Sequence, residues 1–163
     1  MPVHHVLDDK IIDEPLFFEQ RKDLSAKSVL QKGRYTPLSL EDCVDQLKNL
    51  YLLFTSAHIP VIRMGLQASA ELADRSVVLA GPYHPALGHW VMSSVMLDHA
   101  IAALEAIRPS SNAATLIVHP KSLSRLQGLN KHNIKKLKER FHIRSLKIQT
   151  DPTLQMEDVR VEA

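Results

Sequence analysis

The chain has 163 residues, enough for one domain or one and a half with a real apolar core. Apolar residues make up 45% and charged residues 23%, ordinary for a globular protein, and the formal net charge is only +2. No uninterrupted run of about eighteen apolar residues occurs, so no membrane span is expected, and the N-terminus lacks a basic-then-apolar leader pattern, which predicts a cytoplasmic protein. The single cysteine, Cys43, excludes an internal disulfide and any metal site built from clustered thiolates.

In chain order, V-H-H-V-L at 3–7 reads as a short strand. Residues 8–36 are polar and broken, with Leu16, Phe17 and Phe18 as an apolar anchor. T-P-L-S-L-E-D then opens a helix, with Ser39 at the N-cap and Asp42 three residues on as the acidic partner of a capping box. Leu40, Cys43, Val44, Leu47, Leu50, Tyr51 and Phe54 follow helical spacing and predict one broad apolar face. Cys43 lies on that face, which suits a small buried hydrophobe better than a nucleophile.

I-P-V-I-R-M-G-L-Q reads as a strand with Ile62, Met64 and Leu66 on one side and Arg63, Gly65 and Gln67 on the other. The polar side fits either a cavity or a sheet edge where Arg63 meets a carboxylate. S-A-E-L-A-D predicts a short helix and V-V-L-A a buried strand, leading into the stiff loop A-G-P-Y-H-P-A-L-G-H-W at 80–90. A long, mostly buried helix is expected from Leu87 to Ile107, and R-P-S-S-N breaks it, placing a boundary at 108–113.

The last region predicts strand, short helix, turn, helix and strand. From Lys121 to Lys147 the bases Lys121, Arg125, Lys131, Lys135, Lys136, Lys138, Arg140, Arg144 and Lys147 face one acid, Glu139. Such a segment is either an electrostatic footprint for a phosphate-rich partner or a solvated helix face. The tail, with Asp151, Glu157, Asp158 and Glu162, is acidic.

The stretches R-Y-T-P-L-S-L-E-D-C-V (34–44), I-P-V-I-R-M-G-L-Q-A-S (59–69) and V-V-L-A-G-P-Y-H-P-A-L-G (77–88) resemble the C-terminal part of radical S-adenosylmethionine proteins. The group is the one called oxygen-independent coproporphyrinogen oxidase-like or Elongator-catalytic-subunit-like. V-H-P-K-S-L-S-R-L-Q-G-L-N-K-H-N-I-K-K-L (118–137) is similar to the tail of the same proteins, and G-P-Y-H-P is the most specific element. The resemblance covers roughly 34–151 and does not include 8–32. It implies an α/β fold: terminal strands of a partial (β/α) barrel over 1–107, with 8–33 an irregular arm, then a small basic α/β module over 113–163 with an acidic tail.

Such proteins hold a four-iron, four-sulfur cluster on a Cys-x3-Cys-x2-Cys loop, and this chain has Cys43 alone. The resemblance therefore implies S-adenosylmethionine and the cluster in a longer parent, none in this chain, and no catalysis by this chain by itself. In that parent Arg63 and Gln67 lie near the open end of a barrel strand, where barrel active sites sit. Together with His84 they are the cofactor-binding residues that the resemblance implies for that parent. His84 also has a plainer reading, a ring bonded to a backbone group that locks its turn; imidazoles titrate near neutrality, so a proton donor is the alternative. No metal site is expected.

The tail further resembles a KH nucleic-acid module, whose G-x-x-G loop lets the nucleic acid backbone come close. Gly128-Leu129-Asn130-Lys131 keeps the first glycine and has lysine at the second. That resemblance implies an alternative function, RNA (tRNA) binding through Lys121, Arg125, Gly128, Lys131, Lys135 and Lys138, with a salt-sensitive affinity. A third expectation is protein association through apolar surface left bare by a missing barrel, covered by the missing barrel portion, by a homo-oligomer partner or by residues 8–33. No P-loop, dinucleotide glycine motif or hydrolase triad occurs.

Overall fold

The computed structural model of the protein describes residues 5–7, 10–12, 26–66, 80–109 and 112–162. Strands β1 (His5–Leu7) and β2 (Lys10–Ile12) pair antiparallel, with Val6 opposite Ile11. Helix α1 (Ala26–Gln31) follows, then α2 (Leu40–Ser56) and α3 (Leu87–Ile107). The C-terminal part runs β3 (Ala113–Val118), α4 (Leu123–Gln127), α5 (His132–Phe141), β4 (Ser145–Thr150) and β5 (Val159–Glu162). The fold is mixed α/β, as expected.

Helix α2 starts where its cap predicts. The Ser39 hydroxyl accepts from the Asp42 amide at 3.0 Å and donates to the Asp42 carboxylate at 2.7 Å, so the short acid answers the hydroxyl. Its end is a Schellman turn built without glycine: Ile59 N–H donates to Phe54 C=O at 2.8 Å and His58 N–H to Thr55 C=O, with His58 at φ +58°. Helix α5 ends likewise, with Ile143 N–H donating to Lys138 C=O at 3.0 Å and His142 at φ +54°.

The predicted apolar face of α2 is covered over half its length. Val44 is buried, and Leu40, Cys43 and Leu47 pack with it against Leu87, Val91, Met64 and Trp90. Further along, Leu50, Leu53 and Phe54 are exposed.

Helix α3 is apolar on nearly every side, and it is the spine of the structure. Its first turns complete the cluster around Val44, while Met96, Ala100 and Leu104, each fully buried, join Leu116 and Val118 of β3, Leu126 of α4 and Leu137 of α5. By length and composition this helix could cross a membrane, which the search for an uninterrupted apolar run missed because Ser93, Ser94, Asp98 and His99 interrupt it. Its apolar side chains are spent on α2, α4, α5 and the sheet.

The three-stranded sheet has the order β4-β3-β5, with β4 parallel and β5 antiparallel to β3. The parallel pair requires a crossover, which α4 and α5 provide. Ala114, Leu116 and Val118, flanked by Leu146, Ile148, Val159 and Val161, face the helices. The turn expected at 108–113 thus joins two elements of one core. Strand β5 lies in what the sequence suggested was only an acidic tail; V-R-V-E carries the two-residue alternation of a strand, and Val159 and Val161 fill the sheet's apolar side.

One expected element differs. Residues 59–66 form no strand. Gly65 takes φ +83°, far from the value near −120° that a ladder requires, and turns the chain across the start of α3. A Cβ there would stand 3.0 Å from Leu87 Cδ2. Ile62 is 96% exposed and Leu66 68%, so the apolar side predicted for this segment is uncovered apart from Met64. The helix expected at S-A-E-L-A-D and nearly all of the V-V-L-A strand lie outside the described residues.

Two stability outcomes follow from these packing and cap arrangements. His142→Gly removes the strain that a Cβ imposes on a left-handed backbone and raises unfolding stability by about 1 kcal/mol in urea titration. Leu116→Ala, at the centre of the sheet and fully buried, lowers it by about 2–5 kcal/mol.

Candidate functional site

Three groups of residues singled out in the sequence reach three different places. Arg63 is exposed on the turned segment that crosses the N-terminal end of α3. His84 is in the loop that leads into the same helix end. Its Nδ1 accepts from the Ala86 amide at 3.0 Å, its C=O accepts from Leu87 N–H at 3.1 Å, and its ring meets Trp90 edge-on at 5.6 Å. The ring therefore substitutes for a side-chain cap, since α3 has no other at its start. Gly81, at φ +106°, supplies the preceding turn, with Tyr83 N–H donating to its C=O at 3.0 Å. Gln67 lies outside the described residues.

Cys43 is half-buried on α2 beside Val44. Among the described residues no group of three or more His, Cys, Asp or Glu side chains gathers where a metal could be held. An iron–sulfur cluster needs several thiolates, and the whole sequence has one. The residues present do not fit the cluster.

The basic C-terminal residues divide between two faces. Lys121 and Lys131 are exposed in the short turns that flank α4, and Lys138 is half-buried on α5. Arg125, half-buried on α4, is near enough to Tyr51 on α2 for its charge to favour the phenolate slightly. There the Tyr51 hydroxyl donates to the Glu157 carboxylate, and the ring of His99 bonds the Glu157 C=O at 2.7 Å. Burial, and then the Glu157 carboxylate, raise the Tyr51 pKa above the ordinary phenol value of 10.0. The loop between β4 and β5 is thereby fastened to both α2 and α3, with Ser122 donating to the Met156 C=O as a further tie.

Gly128 and Lys135 come together at a cleft of about 660 Å³ between α2, the start of α3 and the turn that opens α5. Lys135, Lys136 and His132 stand on one wall, Glu41 and Asp45 on the wall formed by α2, and Trp90 between them. Sequence reasoning did not single out Trp90, Glu41 or Asp45 as site residues. Helical periodicity put Trp90 in the core pattern, and nothing in the spacing connected it with the two acids.

The turn beneath the cleft is built around Asn133. This buried side chain donates from Nδ2 to the C=O of Ser93 at 2.8 Å and of Arg125 at 3.2 Å, while the Ser93 hydroxyl donates to the same Arg125 oxygen. One side chain therefore ties α5 to α3 and α4. Gly128 lies directly over it: a Cβ would come within 2.9 Å of Asn133 Cγ, and φ +69°, ψ 172° is a region only glycine occupies readily. Asn130 and Lys131 follow at φ +50° and +58°. Lysine at the second position of the G-x-x-G-like turn thus keeps the left-handed backbone that a glycine would give.

Residues 27–96 match the family described as the Radical_SAM C-terminal domain. The match runs from α1 through the cluster around Val44 and ends inside α3, at Met96. No curated protein and no solved structure matches the chain.

Gly128→Ala is expected to destabilise by about 1–3 kcal/mol from the backbone alone, with a further loss from displacing Asn133; urea melts measure both. A phenol titrating above 10.0, seen by ultraviolet absorbance, disappears in Tyr51→Phe. Because the folded pKa is raised, the stabilising contribution of Tyr51 is complete below 10.0 and lost as pH rises through the folded value, so the variant melts less steeply at alkaline pH.

Proposed function

We propose that this chain, whose residues 27–96 carry a Radical_SAM C-terminal domain, is the C-terminal portion of a radical S-adenosylmethionine protein and performs no radical chemistry by itself. The observation that carries this reading is the lone Cys43, half-buried in the apolar cluster on α2, in a chain whose family relation implies a thiolate-bound cluster. The cluster and S-adenosylmethionine then belong to a separate portion. The exposed apolar residues Ile59, Ile62 and Leu66, together with the exposed Leu53 and Phe54 at the end of α2, support its placement. In this reading that apolar surface seats the cluster-bearing portion, Arg63 and His84 serve its cofactor, and Gln67 is assigned the same role by the resemblance alone.

Anaerobic reconstitution with iron and sulfide tests the proposal. The expected result is no protein-bound four-iron absorbance and no cleavage of S-adenosylmethionine, identical for the wild type and Cys43→Ala. A stable cluster on the chain alone, lost in Cys43→Ala, overturns it.

A second reading, RNA binding by the C-terminal half, is favoured by one observation: the turn Gly128–Lys131 keeps a left-handed backbone with Lys131 exposed at its end and Lys135 beyond it. Binding of this kind weakens steeply with salt, as counterions released from phosphates are recaptured. Affinity for tRNA across a salt series is expected to drop for Lys121→Glu/Lys131→Glu. Equal affinity for that variant, or no binding at low salt, removes this reading.

A further inference from the structure

We infer that the cleft between α2, α3 and the start of α5 is a binding site for a nucleoside phosphate. Its volume, about 660 Å³, is within the range of small-ligand sites, and its walls are chemically sorted. Lys135 and Lys136 are both exposed on α5, supplying a wall of cations for a phosphate, with His132 and Asn130 adding polar atoms beside them. Glu41 and Asp45 stand on α2 and are acceptors without donors of their own when ionised; they suit an exocyclic amine. Between the two walls the half-buried Trp90 and Leu97 contribute apolar lining that suits a ring.

One ligand type satisfies all three surfaces: an anion at one end, a flat ring in the middle and amino hydrogens at the other. A bare anion leaves the carboxylate wall facing its own charge sign, and an apolar ligand engages neither charged wall, where Asp45 has the Lys48 ammonium at 3.8 Å and Glu41 faces solvent. The turn holding the basic wall is rigid, because Asn133 is bonded to both Ser93 and Arg125 and Gly128 closes on it. The cleft is therefore shaped before a ligand arrives, which lowers the ordering cost of binding. A free nucleotide and a nucleotide within a strand carry the same groups, so the shared chemistry is the nucleoside phosphate and the two sources are told apart by experiment.

Trp90 is the only tryptophan in the sequence, so its fluorescence reports on this cleft alone. Adenosine 5′-monophosphate is expected to change it saturably, with adenosine and inorganic phosphate each roughly tenfold weaker or more, in line with the loss of charge-assisted hydrogen bonds or of ring contact. Inosine 5′-monophosphate, which has a carbonyl in place of the amine, is expected to bind more weakly, and Glu41→Gln/Asp45→Asn to narrow that difference. Lys135→Glu/Lys136→Glu, at exposed positions and with an unchanged melting curve, is expected to weaken binding roughly tenfold or more. A short single-stranded oligoribonucleotide binding tighter than the mononucleotide assigns the site to RNA; equal or weaker binding assigns it to a free nucleotide. No saturable change with either, or unaltered affinity in the lysine variant, overturns the inference. Transfer RNA binding with a silent Trp90 overturns it and leaves the RNA reading standing; a nucleotide response without tRNA binding does the reverse.

Discussion

Helix α3 must hide apolar side chains along its whole length, and most other placements in the molecule follow from that demand. A helix that is apolar on one stripe needs one neighbour; this one is buried at Val91, Val95, Met96, Ala100 and Leu104 and needs neighbours on several sides. At its start α2 and the turned segment at Gly65 cover it. Along its second half the sheet, α4 and α5 do so. The Radical_SAM C-terminal domain match ends at Met96, within this helix, so the matched region and the C-terminal α/β part share one packed element and cannot part without exposing it.

The polar contacts between elements are placed to fasten what the apolar packing brings together. Lys48 meets Asp98 at 2.9 Å between α2 and α3, and Arg140 meets Glu105 at 2.8 Å between α5 and α3. The second pair is half-exposed and of small energetic weight. The buried amide of Asn133 matters more, because removing it takes a buried donor from the backbone oxygens of both Ser93 and Arg125 and leaves the Arg125 oxygen with the Ser93 hydroxyl. The same residue underlies the cleft wall, so the geometry of the proposed nucleotide site and the docking of α5 onto α3 depend on one side chain. The Tyr51–Glu157 bond plays a similar part on the opposite side, holding the loop that brings β5 to the sheet.

The chain uses few glycines, 5 in all, and places non-glycine residues in left-handed conformations at His58, Arg108, Asn130, Lys131 and His142. Each adds a modest strain. At His58, Arg108 and His142 it ends a helix. At Asn130 and Lys131 it shapes the turn beside the cleft, and there the backbone form survives although the second glycine of the G-x-x-G-like pattern is absent. Gly128 has no such freedom, because both its dihedral angles and the space beneath it exclude a side chain.

Local pattern was sufficient for the elements whose signals are local. The Ser39–Asp42 cap, the periodicity of α2, the long apolar helix and the strand–helix–turn–helix–strand order of the C-terminal part were all legible, because caps and burial stripes are written in neighbouring residues. The match of residues 27–96 to the Radical_SAM C-terminal domain was legible too, from the stretches around Ser39, Arg63 and G-P-Y-H-P. Strand β5 was legible in its alternation and hidden by the acidic character of its surroundings. Other features depend on partners distant in the chain. Residues 60–66 alternate like a strand, yet a strand exists only where a neighbour offers a ladder, and Gly65 instead bends this segment over Leu87. That Lys135 and Lys136 reach the cleft while Arg125 is near Tyr51, and that Glu41, Trp90 and Lys135 line one cavity, was decided by the packing of α2 and α5 on α3, which no short window of sequence contains.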